Sequence, residues 1–293
     1  MPWQPLLDTR DRLPAASLED WYAALLERTG EAGPFALAVL GGRLAATPGL
    51  AFLAGYQGAL RALWPAAPRS LGALCVTENR STRPADLQTR LSGLHLSGRK
   101  DFVTAAEAAD WLLVAARTES QGQSPRMAVG VVRAGAPGSR LEPLPALPLM
   151  PDIGHARLYL EQVSCELLPG DGWDSYVKPF RTIEDLHVLA AVAAWLYGVG
   201  TDNAWPQELL LRLLALLGGC AEAARHNPSA PQTHVLLAGL FAQFHSLGAE
   251  LDGAFAAGSQ HWAQLWQRDR SLLELARAAR QTRLQKALQA LQL

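Results

Sequence analysis

The sequence predicts an α+β protein in three parts: a short N-terminal helical region over residues 1–69, a β-barrel-like middle domain over 70–178 and a C-terminal four-helix bundle over 179–293. Three observations carry this. Apolar residues keep helical spacing to about residue 65. They then fall into strand-length runs bounded by Gly, Ser and Pro. From about residue 179 the helical spacing returns and persists to the end of the sequence.

"SLEDWYAALLERTG" reads as the first helix, with Ser17 as its cap and Gly30 as its stop. "LAFLAGYQGALRALW" reads as another, closed by Pro65 and Pro68. The strand-length runs are "LGALCVTE", "LSGLHLSG", "WLLVAART", "RMAVGVVRAG" and "ARLYLEQVSCELL". In "LHLSGRK", Leu94 and Leu96 alternate with His95 and Ser97, the pattern of a half-buried strand. "GAPGSRLEPLPALPLMPD" is too rich in Pro for a central strand and fits an edge or a cover. The bundle reads as "FRTIEDLHVLAAVAAWLYGV", "PQELLLRLLALLGGCAEAARH", "QTHVLLAGLFAQFHSLGAELDGAFAAG" and a last helix from His261 onward. Within that last segment, "LLELARAARQTRLQKAL" predicts an uninterrupted helix.

Composition narrows the function classes. With 293 residues, 49% hydrophobic and 18% charged, the chain is globular. A net charge of −1 gives no basic field for nucleic acid. Three dispersed cysteines, Cys75, Cys165 and Cys220, fit a reducing compartment and supply neither a disulfide framework nor a metal site. The longest apolar run, in "DLHVLAAVAAWLYGVG", is ~14 residues and too short to span a bilayer. The N-terminus lacks a secretory core. A cytoplasmic, soluble protein is expected. "LLLRLLALLGG" and "VLLAGLFAQF" are apolar nearly all round, which predicts a homodimer through the bundle.

Two adjacent motifs sit inside this order. "LCVTENRSTRPADLQT" stands where the acyl-CoA dehydrogenase family opens its β-domain, and "GRKDFVTAAEAADWLLVAART" matches that family's next motif. The chain resembles a shortened, divergent member of the family over most of residues 35–200. The resemblance implies FAD. It places Cys75, Val76 and Thr77 along the pyrimidine side of the flavin, and Phe102, Val103 and Thr104 along the ring and its reactive nitrogen edge. An apolar wall with a few aimed polar groups is what tunes a flavin. Thr77 and Thr104 are equally what a strand selects. The family's Gly-Ser pair is absent: Pro84 and Ala85 stand before Asp86, and Pro84 has no N–H to give a diphosphate. The family's Arg-x-x-Phe-Gly segment is absent too.

Acyl-CoA dehydrogenation needs a carboxylate base. In most of the family it lies eight residues beyond the Asp of an Arg-Asp pair. Counting eight from Asp269 of Arg268-Asp269 reaches Arg277, a cation that cannot take a proton. A minority of the family carries the base on the first bundle helix, where Glu184 stands with His187 one turn on. Glu184 also reads as a helix-start acid favoured by the dipole, and His187 as a packed core histidine. Three readings stay open: a flavin-dependent oxidoreductase on an acyl-CoA or other acyl thioester, with a degenerate site and an electron-transfer flavoprotein as acceptor; a non-catalytic binding or assembly protein derived from the family; and a relative of flavin monooxygenases, which need no such base.

Overall fold

The computed structural model describes residues 3–9, 11–119 and 122–293. The Ser17 hydroxyl accepts a hydrogen bond from the Asp20 amide at 3.0 Å, capping α1 (Leu18–Thr29), and Gly30 ends that helix at φ +57°. α2 (Pro34–Leu44) and α3 (Pro48–Leu63) each begin on a proline, where a helix needs no N–H. Both pack on the long helix α4 (Lys178–Asp202). A Cβ at Gly42 would lie 2.0 Å from the Ala191 carbonyl oxygen, and one at Gly55 2.6 Å from Val188 Cα. These glycines let backbone meet backbone, which sets where α4 lies.

The strands are β1 (Gly72–Cys75), β2 (Arg90–Ser92), β3 (His95–Thr104), β4 (Trp111–Arg117), β5 (Met127–Arg133), β6 (Ser139–Pro143), β7 (His155–Ser164) and β8 (Glu166–Leu167). They form one sheet in the order β6-β7-β3-β2-β4-β5-β8, with β1 parallel to β4. A single pair, Arg90 with Arg117, joins β2 to β4. The two halves wrap a common core that includes Cys75, Leu96, Val103, Val114 and Leu158. β6, carrying Pro143, is an edge strand paired with β7 alone, as a proline in a strand requires. The predicted alternation holds for Leu96, which is fully buried, but not for Leu94, which precedes β3 in a turn and is 53% exposed.

A π-helical turn, Trp173–Val177, runs straight into α4. Together they form a 30-residue helix long and apolar enough to cross a membrane, 83% buried over its most apolar stretch inside the fold. The element is therefore longer than the apolar run suggests, and it serves as the core helix of the bundle. α5 (Gln207–Ala223) follows. The next predicted helix is two, α6 (Pro231–Ser246) and α7 (Gly248–Ala257), jointed at Leu247.

The uninterrupted C-terminal helix is also corrected. α8 (Gln260–Asp269) gives way to a 3-10 turn, Arg270–Glu274, and then to α9 (Arg277–Leu291). The reason is tertiary. Asp269, fully buried, accepts the Met150 amide at 2.8 Å, and Leu272 and Leu273 turn into the core. Burial of these groups outweighs the helical propensity of the segment.

One buried ion pair binds the two sequence motifs together. Lys100 on β3 is fully buried, with its ammonium 2.5 Å from Glu78 Oε1 and 3.3 Å from the Val76 carbonyl oxygen. Glu78 also accepts the amides of Gln88 at 2.5 Å and Thr89 at 3.2 Å. Burial pushes the Lys100 pKa down, and Glu78 opposes that shift. Lys100→Met leaves Glu78 buried without its cation. The expected loss is about 3–5 kcal/mol in chemical denaturation; a loss below about 1 kcal/mol would show that the pair does not hold the loop.

Candidate active site

The pleat of β1 and β3 sorts the predicted flavin residues. Val76, Thr77, Phe102 and Thr104 line a cavity of about 270 Å³ between the sheet, α3, α4 and the turn before α9. Cys75 and Val103 do not. Both are fully buried in the sheet core, on the opposite side of their strands. Burial pushes the Cys75 thiol up to about 12, which suits an inert core group. Period-two alternation could have excluded Val103, which lies between Phe102 and Thr104 on β3; it does not separate Cys75 from Thr77, which lines the cavity only because the strand ends at Cys75.

The wall has a definite construction. Phe102 lies against the His155 ring, centroids 4.4 Å apart and planes 30° apart. His155, the first residue of β7, faces the cavity, and burial holds its pKa below the usual value. It escapes sequence reasoning because it carries no motif. Tyr56 on α3 accepts the Leu74 amide at 2.9 Å and bonds the Thr104 hydroxyl. Tyr56 thus ties the N-terminal helices to both motif strands.

Glu184 opens onto the same cavity. The π-turn and α4 run on without a break, so Glu184 lies inside the helix, and the first turn of α4 has no acid. The reading as a helix-start acid is corrected accordingly. No hydrogen bond or ion pair reaches its carboxyl among the described residues. Its exposure is intermediate because it faces the cavity, yet burial first, and then Asp185, pushes its pKa up to about 8 against the pull of Arg283. Asp185 behaves oppositely in its contacts. It is buried and paired with Arg280 at 2.9 Å and with Arg283, which tie α4 to α9. The two neighbouring acids divide the work: Asp185 takes the arginines and Glu184 stays free.

His187 is the packed histidine. It is 3% exposed, with Nδ1 2.8 Å from the Ile183 carbonyl oxygen and its ring 6.0 Å from Phe35; burial lowers its pKa to about 4. Arg277 points outward, 3.3 Å from Glu274, while Leu272, Leu273, Leu275 and Ala276 face the cavity. The helix is interrupted before α9, and the cavity side of that turn is apolar.

The loop after β1 is closed on itself. Glu78 and Ser81 exchange backbone bonds at 2.9 and 2.8 Å, and the Asn79 amide donates to Asp101 at 2.6 Å. The Arg83 amide goes to Ser81 Oγ at 3.2 Å. The amides that could cradle a diphosphate are therefore largely spent.

The site tests directly through Glu184. Its folded pKa is raised, so between pH ~4.5 and about 8 the native state holds a proton that the unfolded chain has released. Stability falls as pH rises through that window, by at most about 1.4 kcal/mol per pH unit. Glu184→Gln should flatten this slope in urea melts between pH 5 and 8. An unchanged slope would show that the carboxyl is ordinary.

No protein-family model matches the chain, and no curated protein sequence does. Solved structures match by fold. One described as FkbI for biosynthesis of the methoxymalonyl extender unit of Fk520 has a TM-score of 0.66 at 20% identity, over 100% of this chain and 99% of that one. Butyryl-CoA dehydrogenase from Megasphaera elsdenii has a TM-score of 0.64 at 14% identity, over 92% and 88%. An FAD complex of PigA has a TM-score of 0.65 at 14% identity, over 98% and 92%. At these identities the likeness is one of fold, and on it this chain has the acyl-CoA dehydrogenase fold.

Proposed function

We propose that this chain is a flavin-dependent oxidoreductase acting on an acyl thioester, with Glu184 as its base. The observation that carries the reading is the unpaired Glu184 carboxyl facing the same cavity as Val76, Thr77, Phe102 and Thr104. These residues fit the ring end of FAD: Val76 and Phe102 give an apolar wall, and Thr77 and Thr104 give hydroxyls at its edge. FAD, when bound, supplies a hydride acceptor. Glu184 takes the proton alpha to the thioester carbonyl. Leu272 and Leu273, both buried, exclude water around that proton. The FAD complex of PigA and the butyryl-CoA dehydrogenase, as neighbours of the fold, support the choice of cofactor and substrate class. An electron-transfer flavoprotein is the acceptor implied.

This is a weakened version of the chemistry. Arg277 stands where most of the family carries its acid and points outward, and the loop after β1 gives few amides to a diphosphate. FAD affinity is expected to be low, since each lost charge-assisted contact costs roughly 1.5–3 kcal/mol. A base with a pKa of about 8 is mostly protonated at neutral pH. Turnover should therefore rise with pH and level off above about 8. The experiment is turnover of saturated acyl-CoA substrates with saturating FAD and an artificial acceptor, from pH 6 to 9.5. Glu184→Gln should lower the rate about 10²–10⁴-fold. Turnover that survives this substitution would overturn the assignment, and a protein that ignores added FAD would favour a non-catalytic binding role.

A further inference from the structure

His155 has no part in the proposed chemistry, although its imidazole lines the same cavity as Phe102, Thr104 and Glu184 and is 6% exposed. Its place is set by sheet register. β3 and β7 pair Thr104 with His155 and Val103 with Ala156, so the Thr104 and His155 side chains stand next to each other on the cavity face. The imidazole also lies against Phe102, two residues back on β3 and on the same face, with ring centroids 4.4 Å apart. His155 is therefore beside the two β3 residues that the proposed function sets against the ring of FAD.

The backbone fixes this residue on both sides. The His155 carbonyl oxygen accepts the Leu144 amide at 2.8 Å. One ring nitrogen turns to the Ile153 carbonyl oxygen. That carbonyl belongs to a turn closed by the Ile153 amide on the Met150 carbonyl oxygen at 3.0 Å, and the Met150 amide is held by buried Asp269. Burial keeps the His155 pKa low, so the ring is neutral at neutral pH and carries a single N–H. With that N–H on Ile153, the second nitrogen has only a lone pair. No group among the described residues bonds it. An acceptor in a nearly closed wall is costly without a donor, and the cavity is where a donor can enter.

We propose that His155 is a positioning residue for the flavin: its bare nitrogen accepts a hydrogen bond from the reactive nitrogen edge of the ring, beside Thr104, and so favours the reduced cofactor. The selectivity follows from which edge atoms donate. In oxidised flavin the reactive nitrogen is itself an acceptor, and two acceptors form no bond. In reduced flavin that nitrogen carries a hydrogen and can donate it to the imidazole. Thr104 discriminates less, because a hydroxyl both donates and accepts, and here it also bonds Tyr56. An acceptor that pairs with one redox state alone raises the reduction potential of the cofactor. The inference rests on the proposed function, since it needs FAD in this cavity.

The experiment measures the affinity of the full chain for oxidised FAD and, without oxygen, for dithionite-reduced FAD. His155→Phe keeps a ring against Phe102 and removes both nitrogens. His155→Leu gives the same reading should the larger ring disturb the wall, and His155→Gln restores an acceptor; thermal melts confirm their folding. The parent should prefer reduced over oxidised FAD more strongly than the Phe and Leu variants do, by roughly three- to tenfold. That ratio corresponds to a reduction potential higher by roughly 15–30 mV for the two-electron couple. His155→Gln should recover part of it. A packing role alone would weaken both forms alike and leave the ratio unchanged. FAD binding with equal ratios in parent and variants would overturn the proposal and leave the proposed function standing. Absence of FAD binding by the parent would overturn both.

Discussion

The buried pair between Lys100 and Glu78 governs the geometry of everything around it. Lys100 belongs to "GRKDFVT" and Glu78 to "CVTEN", so one contact joins the two stretches that line the cavity. Through Glu78 the pair also holds the amides of Gln88 and Thr89, which anchors the far end of the loop. A buried ion pair is a weak source of net stability but a strong constraint, because either partner alone is costly. Here it sets the spacing between Val76 and Phe102, and so the width of the apolar wall. The same pair closes the loop and consumes its amides, which shapes the wall and limits phosphate binding at once.

A second constraint acts from the other side. Gly42 and Gly55 let α2 and α3 meet the α4 backbone, and Tyr56 reaches from α3 to β1 and β3. Glu184 is thereby carried to the cavity on a rigid element rather than on a loop. Asp185 next to it absorbs two arginines and fastens α9. That leaves Glu184 in an environment where burial dominates, the condition under which a carboxyl titrates near neutral pH.

Much of this was legible in the sequence, for reasons that can be stated. The change from helical to strand spacing and back is a direct record of which faces are buried, so the element order survives. The Ser17 cap and Gly30 stop are local and survive too. Glu184 was legible only through the resemblance, since nothing in "TIEDL" marks one acid as free and the other as paired. Cys75 and Val103 were carried over with whole motifs but turn into the sheet core: alternation sends Val103 away from Phe102 and Thr104, and Cys75 is the last residue of β1, after which Val76 and Thr77 both reach the cavity. The break before α9 was hidden because its cause, Asp269 accepting the Met150 amide, lies over a hundred residues away in sequence. His155 was equally invisible, because it reaches the cavity from a strand that carries no motif.

The central claim is that a flavin ring and Glu184 share one cavity. A crystal structure of the protein with FAD tests it most directly. The account predicts the ring against Phe102 and Val76, with its nitrogen edge toward Thr77 and Thr104 and Glu184 across from it. A ring bound outside this cavity, or a cavity that stays free of flavin at saturating FAD, would contradict it.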